Sequence, residues 1–402
     1  MDSRRKFLGK VTGIAGAVTT STQAAFAAND KIRLGIIGIG DRGTELVHQA
    51  MSVPGVEMAA FSDVYTRRLE AAKRIAPDAA TYLDHRHLLD DKSLDAVLIA
   101  TPQHLHCEHF VNALNAGKHV YQEKTMAFTV DHAKRMRKAF QNDGGKHVVQ
   151  IGHQSCSSGQ VLDAQDFLKD NKVGKITAVV ANMFRNTPHG KPQWSRPVYP
   201  DMNSENVLWQ SFLGEAPKRD FDANRFINWR FFFDYSGGNV YENMCHQVSF
   251  WYKVLNLQVP RSVTMTGGVY LWKDGREVPD TMNVSMEHFE EVLFSWVSGF
   301  GNNQLGVTES VLGTDGTISK GAQIRYQPQK VNRPDSSELV GRSTAPATAH
   351  MQNFIDCIRD SSIQPNCPFD VGYRVSIACR MAVDSYRTGR TLRWDPIKEE
   401  VS

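Results

Sequence analysis

Ile32-Arg33-Leu34-Gly35-Ile36-Ile37 runs without a break into Gly38-Ile39-Gly40-Asp41-Arg42-Gly43, and a helical pattern over residues 44–51 follows. An apolar strand that ends in GxGxxG and opens a helix is the turn on which a dinucleotide pyrophosphate rests. Its glycines allow a tight bend and close backbone approach, and the positive helix N-terminus faces the phosphates. Gly38, Gly40, Asp41, Arg42 and Gly43 are therefore candidate cofactor-binding residues. Asp63 closes the next apolar run, twenty residues after Gly43, where a carboxylate accepts hydrogen bonds from the adenosine ribose. That carboxylate repels a 2′-phosphate and favours NAD, whereas Arg67 and Arg68 leave NADP open. The alternative is a glycine turn in a domain of the same shape that holds no dinucleotide.

Outward from this turn, short apolar runs recur at residues 56–61, 96–100, 119–122 and 147–151. Helical patterns at 67–75, 104–116 and 130–142 separate them. Continuous apolar strands with helices between them imply an α/β, doubly wound parallel sheet covered on both faces, a Rossmann domain over residues 31–152. The character then changes. A helix at 161–170, an alternating strand at 176–184, an irregular stretch at 185–234 and a helix at 239–255 precede strand-like runs at 263–272, 281–298, 305–312 and 323–327. With helical patterns at 350–359 and 371–387, residues 153–402 read as an α+β domain built on an open, mostly antiparallel sheet.

The chain of 402 residues is 41% hydrophobic and 22% charged, which excludes disordered and collagenous classes. Its formal charge of +3 sits entirely in residues 1–27, where Arg4, Arg5, Lys6 and Lys10 face only Asp2. The remainder is neutral at this level of counting and gives no support for a nucleic-acid partner. Arg4-Arg5-Lys6-Phe7-Leu8, the weakly apolar residues 11–18 and Ala25-Phe26-Ala27 come in the order of a twin-arginine signal peptide with its cleavage site. The expectation is export by the twin-arginine translocase to the periplasm or beyond, with no membrane span in the mature chain. That route carries folded proteins, which suits a cofactor loaded in the cytoplasm. Six cysteines without CxxC spacing do not form a disulfide framework and read as small buried hydrophobes.

Three further stretches carry chemistry. Thr101-Pro102-Gln103-His104-Leu105-His106 and Glu123-Lys124-Thr125 each follow an apolar run, where strand ends face the ligand crevice of an open sheet. A lysine there can steady a developing oxyanion, or be an ordinary surface lysine. Glu242 and His246 stand four apart in a helical pattern, so a carboxylate can orient an imidazole as general base. The same spacing also fits a structural pair. His104, His106, Cys107 and His109 fit no common zinc spacing, and no metal is expected. Trp194, Trp209, Arg225, Trp229 and Arg230, in the irregular stretch, suit sugar rings and carboxylates or the packing of a loop against a partner subunit.

Together these stretches resemble the Gfo/Idh/MocA family of oxidoreductases. The family's GxGxxG, TPxxxH, AGKHVxxEKP and GGxxxDxxxH segments stand here at Gly38–Gly43, Thr101–His106, Ala116–Thr125 and Gly237–His246. The resemblance implies catalytic roles for Lys124, His246 and Glu242. It implies cofactor contacts from Thr101, Pro102, His106, Glu123 and Lys124 beside the glycine turn and Asp63. Thr125 replaces the family's proline, Glu242 its aspartate, and Ser249 a frequent second aspartate. The implied activity is hydride transfer between a secondary alcohol of a sugar or sugar derivative and a tightly bound NAD or NADP, in a homo-oligomer. A redox-neutral glycosidase or lyase acting through a transient keto-sugar is the alternative, and a binding module without turnover is a third reading.

Overall fold

The computed structural model describes residues 31–346 and 349–402, so the signal peptide reading over 1–27 lies outside the described residues. In the N-terminal domain β1 (Ile32–Ile37), α1 (Asp41–Met51), β2 (Val56–Ser62), α2 (Thr66–Ile75), β3 (Ala80–Tyr82), α3 (His85–Leu89), β4 (Ala96–Ile99), α4 (His106–Asn115), β5 (His119–Gln122), α5 (Val130–Asp143) and β6 (Val149–Ile151) follow one another. The strands form one parallel sheet in the order β3-β2-β1-β4-β5-β6. Between β1 and β4 the winding reverses, and ligands bind outside the strand ends at such a point. Register brings those ends level: Ile37 pairs with Ser62 and Ile99, Ile99 with Gln122, and Gln122 with Ile151. Gly38, Asp63, Thr101, Glu123, Lys124 and His153 therefore emerge along one edge. The strand β3 and helix α3 are absent from the sequence reading, because three residues carry too little apolar pattern to register.

The second domain contains α6 (Gln160–Leu168), β7 (Ile176–Phe184), the short helices α7 (Trp209–Leu213) and α8 (Ala223–Ile227), a π-helical turn at Val240–Met244 and α9 (Cys245–Leu255). The strands β8 (Ser262–Gly268), β9 (Thr281–Glu287), β10 (Leu293–Gly299), β11 (Val307–Gly313), β12 (Gly316–Lys320), β13 (Ile324–Pro328) and β14 (Leu339–Val340) come next. Helices α10 (Ala349–Arg359) and α11 (Phe369–Thr388), then β15 (Leu392–Asp395) and β16 (Glu400–Val401), close the chain. The large sheet runs β14-β13-β12-β11-β7-β10-β9-β8-β15-β16, antiparallel except where β7 pairs with β10. The apolar run 281–298 is two strands, not one, because the chain turns back between β9 and β10. β7 alternates: Val179, Ala181 and Met183 are buried on the helix-covered face while Val180 is exposed on the other.

Residues from the far end of the chain also build the N-terminal domain. α10 returns to the N-terminal domain, where Met351, Phe354 and Ile355 pack among Leu34, Ile36, Leu46 and Val47. A doubly wound sheet needs both faces covered, and the chain supplies one cover from its far end. The irregular stretch 185–234 is also anchored. Leu208 N–H donates to Val64 O (2.7 Å) and Thr66 N–H to Asn206 O (3.1 Å), beside an aromatic cluster of Tyr65, Trp209, Phe212, Phe226 and Phe231. This strap lies across the end of β2.

Candidate active site

The glycine turn shows three different constraints. Gly38 has φ +88°, and a Cβ on Gly43 would stand 2.1 Å from Gly38 O, so both are demanded by the fold. A Cβ on Gly40 would meet nothing closer than the Arg68 guanidinium at 3.7 Å. Gly40 leaves open space where a phosphate would approach. It also caps α1 with no side-chain hydrogen bond, so the first N–H groups of an 11-residue helix remain available to an anion. The adjoining cavity, about 580 Å³, is lined by the turn, Asp63, Thr101 and Pro102 on one side and Tyr199, Trp229 and Arg230 of the strap on the other. These residues fit a dinucleotide. Asp63 has a second job: its carboxylate accepts Ile39 N–H (2.8 Å) and Tyr65 N–H (3.0 Å), bracing the turn. Asp41 pairs with Arg196 of the strap at 2.8 Å.

Of the residues expected at the cofactor, Glu123 and His106 are tied into the fold. Glu123 is buried, accepting Arg42 Nε at 2.7 Å and Lys124 N–H at 3.0 Å, so it ties the glycine-turn helix to the end of β5. His106 is buried with Nδ1 at 2.8 Å from Thr125 O and Nε2 at 2.9 Å from Thr101 O. Both ring nitrogens are occupied by backbone carbonyls and it is outside the cavity wall; its work is to hold two strand ends together. Neither outcome is visible in a motif, because both follow from which carbonyl or guanidinium faces the side chain after folding.

Lys124 leaves β5 one residue past Glu123 and crosses the domain seam. Its Nζ lies 2.9 Å from Glu242 Oε2 and 3.3 Å from Glu242 O. Glu242 also accepts Gln103 Nε2 at 2.5 Å and has Arg230 Nε at 3.4 Å. Burial opposes its ionisation, but Lys124 and Arg230 outweigh that and hold the carboxyl down at about 2. Burial likewise works against the Lys124 charge, and Glu242 more than restores it, so the ammonium pKa is raised. The π-helical turn carries Glu242 to this point; such turns concentrate at functional sites.

The expected orientation of His246 by Glu242 does not occur. Both Glu242 oxygens are taken by Gln103, Lys124 and Arg230, and no hydrogen bond to His246 forms among the described residues. The π-turn widens the helix, so the i,i+4 geometry of a regular α-helix is lost. Burial first, and Lys124 second, push the His246 imidazole down to about 3, leaving it neutral and able to accept a proton. Behind it sits His153, absent from the sequence reading. This ring is fully buried, perpendicular to His246 at 6.2 Å between centroids, and neither nitrogen has a partner. His153, Cys245 and His246 bring ligand-type atoms within 4.8 Å of one another. The nearby Lys124 ammonium opposes a dication there, and burial pushes the Cys245 thiol up to about 11, away from the thiolate a metal would need. The four residues His104, His106, Cys107 and His109 disperse: His104 contacts Phe212 O at 2.7 Å and His109 contacts Thr101 Oγ1 at 3.0 Å.

Residues 32–153 match the family model described as the GFO_IDH_MocA oxidoreductase family, NAD-binding Rossmann fold. The N-terminal domain matches the family's NAD-binding model over its whole length. Inositol 2-dehydrogenase of Salmonella typhimurium is 28% identical over 186 residues, 46% of this chain and 52% of that protein. The chain thus spans about half the length of that curated relative. A glycosyl hydrolase family 109 protein of Shewanella baltica is 35% identical over 111 residues, 25% of this chain and 24% of that one. Over the whole chain the likeness is one of fold. The aldose-aldose oxidoreductase from Caulobacter crescentus, solved with glycerol, aligns with a TM-score of 0.66 at 19% identity, covering 90% of this chain and 99% of that one.

Proposed function

We propose that the protein is an NAD(P)-dependent oxidoreductase acting on a secondary alcohol of a sugar or sugar derivative. The observation that carries this reading is the glycine turn and Asp63 lining one cavity, with Lys124 leaving the neighbouring β5 end, held by Glu242 at 2.9 Å, and the neutral His246 four residues beyond Glu242. The glycine turn and the α1 N-terminus would hold the pyrophosphate, and Asp63 the ribose, with NAD favoured. When bound, the nicotinamide accepts or returns a hydride. Lys124, kept protonated and in place by Glu242, donates to the reacting oxygen and stabilises its negative charge. His246 takes the hydroxyl proton. Glu242 acts as a positioning residue for Lys124 rather than for the imidazole.

Export through the twin-arginine route belongs to the same proposal, on the strength of Arg4-Arg5 and Ala25-Phe26-Ala27. Free dinucleotide is scarce outside the cytoplasm, so the cofactor stays bound and is recycled by a second substrate. A homo-oligomer is supported by the open sheet face, where Val180, Leu293, Val297 and Leu312 are exposed in neighbouring strands.

Mass spectrometry of the denatured protein identifies any resident dinucleotide, and absorbance at the NADH band follows it as sugars are added to native protein. The expected result is stoichiometric NAD that becomes reduced and stays so until an acceptor is supplied. Release of an aglycone without lasting reduction would favour redox-neutral glycoside cleavage, as the name of the Shewanella relative suggests for that protein. Absence of any dinucleotide would overturn the cofactor assignment.

A further inference from the structure

The charges around Lys124 and His246 do not balance. Glu123 is matched by Arg42 at 2.7 Å. Glu242 alone faces both Lys124 at 2.9 Å and Arg230 at 3.4 Å. Arg185 adds a third positive charge to that side. It follows the last residue of β7 and lies on the same face as Val179, Ala181 and Met183, the face that α9 covers. His246 stands in the first turn of α9. The Arg185 guanidinium contacts only Met183 Sδ, at 3.7 Å, and no carboxylate pairs with it among the described residues. Its charge reaches both Glu242 and His246.

Uncompensated cations in a partly buried pocket are costly, and an anionic ligand removes the cost. A further polar group waits at the same place: both nitrogens of His153 are buried without a hydrogen-bond partner among the described residues. Buried polar groups in folded proteins are nearly always satisfied, so these two nitrogens point to a polar ligand in the pocket. An oxidised nicotinamide would bring one more positive charge and enlarge the imbalance. A divalent metal would do the same, which leaves an anion as the ligand class that closes it.

We propose that the pocket takes a sugar acid, a uronate or aldonate, whose carboxylate is held by Arg185 while Lys124 and His246 engage the hydroxyl to be oxidised. This rests on the oxidoreductase reading and specifies its substrate class. A planar guanidinium receives a carboxylate through two parallel N–H donors, a geometry no neutral sugar hydroxyl can match. The bound carboxylate also offsets the positive field that, with burial, depresses His246, and so strengthens it as a base.

The test titrates the intact, dinucleotide-loaded protein by calorimetry with matched pairs: methyl glucuronide against methyl glucoside, methyl galacturonide against methyl galactoside, and gluconate against glucitol. At least one acid is expected to bind about tenfold or more tightly than its neutral counterpart. Arg185→Gln should bring that ratio toward one, and Arg185→Lys should keep part of it. The wild-type comparison stands even if a variant fails to fold. Equal binding within every pair, no acid bound at millimolar concentration, or a ratio that survives in Arg185→Gln would each overturn the proposal. Absorbance at the NADH band separates the two readings. Acids that bind through Arg185 without reducing the cofactor defeat the oxidoreductase reading alone, whereas neutral sugars that reduce it while acids do not bind defeat the carboxylate subsite alone.

Discussion

The glycine-turn crevice and the Lys124–His246 pocket lie side by side, yet their charges are arranged in opposite ways. In the crevice three acids each stand beside a base: Asp41 with Arg196 at 2.8 Å, Asp63 with Arg68 at 3.6 Å, Asp201 with Arg67 at 3.2 Å. In the pocket one glutamate answers Lys124 and Arg230 together, while among the described residues Arg185 has no carboxylate partner and buried His153 has both nitrogens without a hydrogen bond. The crevice is finished by folding. The pocket is completed only by a ligand, and perturbed, unsatisfied groups gathered at one place are the mark of a reactive site.

Acid should expose the weakness of such burial on the largest scale. His104 and His246 are pushed down to about 3, and His288 and His350 to about 4, in each case chiefly by burial. Each ring titrates at its ordinary value of 6.5 when exposed in the unfolded chain. Below that pH the unfolded chain binds more protons than the folded one, so stability falls as pH drops from 6.5 toward 4. Urea unfolding followed across this range should show a falling midpoint; a flat profile would mean that these rings are accessible to water.

Within the pocket, Lys124→Ala should lower turnover by roughly a thousandfold while the protein still carries its dinucleotide. Residual turnover within tenfold of wild type would remove Lys124 from its role. The crevice answers differently, and two glycines sharpen the contrast. Gly43→Ala places a Cβ 2.1 Å from Gly38 O and should cost about 3 kcal/mol in thermal or urea unfolding. Gly40→Ala has room in the fold and should melt like wild type, yet lose dinucleotide, because its methyl occupies the phosphate approach.

The smallest effect is expected at the carboxylate that joins the two regions. Glu242→Gln should cost about 2 kcal/mol, since Lys124 and Arg230 lose their charged partner. The negative charge of Glu242 is what raises the Lys124 pKa, so the alkaline limb of the rate profile should move to lower pH in this variant. An unmoved limb would show that Lys124 is not the group titrating there.

Legibility followed the same line between the two regions. β1, the glycine turn and α1 read directly, since strand, turn and helix are adjacent in sequence and each is set by local periodicity and glycine chemistry. The helix at α5 also read well, with Thr129 as N-cap and Gly144 in the left-handed conformation at its end. β12, five residues of mixed polarity, carries little pattern and went unseen. Glu242 and His246 are both at the site, but their spacing suggested a partnership that the π-turn dissolves. His106 braces Thr101 O and Thr125 O, a role that no motif shows. His153 and Arg185 carry no motif at all; they follow the ends of β6 and β7 in two different sheets, and only folding brings them beside His246.

Sequence by itself determined the dinucleotide crevice, because its parts are twelve contiguous residues and an aspartate at the next strand end, where backbone conformation is chosen locally. Tertiary structure alone decided which carboxylate meets which cation and which are left unmatched. Those pairings join residues 124, 153, 185, 230 and 242–246 across the seam of two domains, and electrostatic partners are chosen by distance after folding, not by order along the chain.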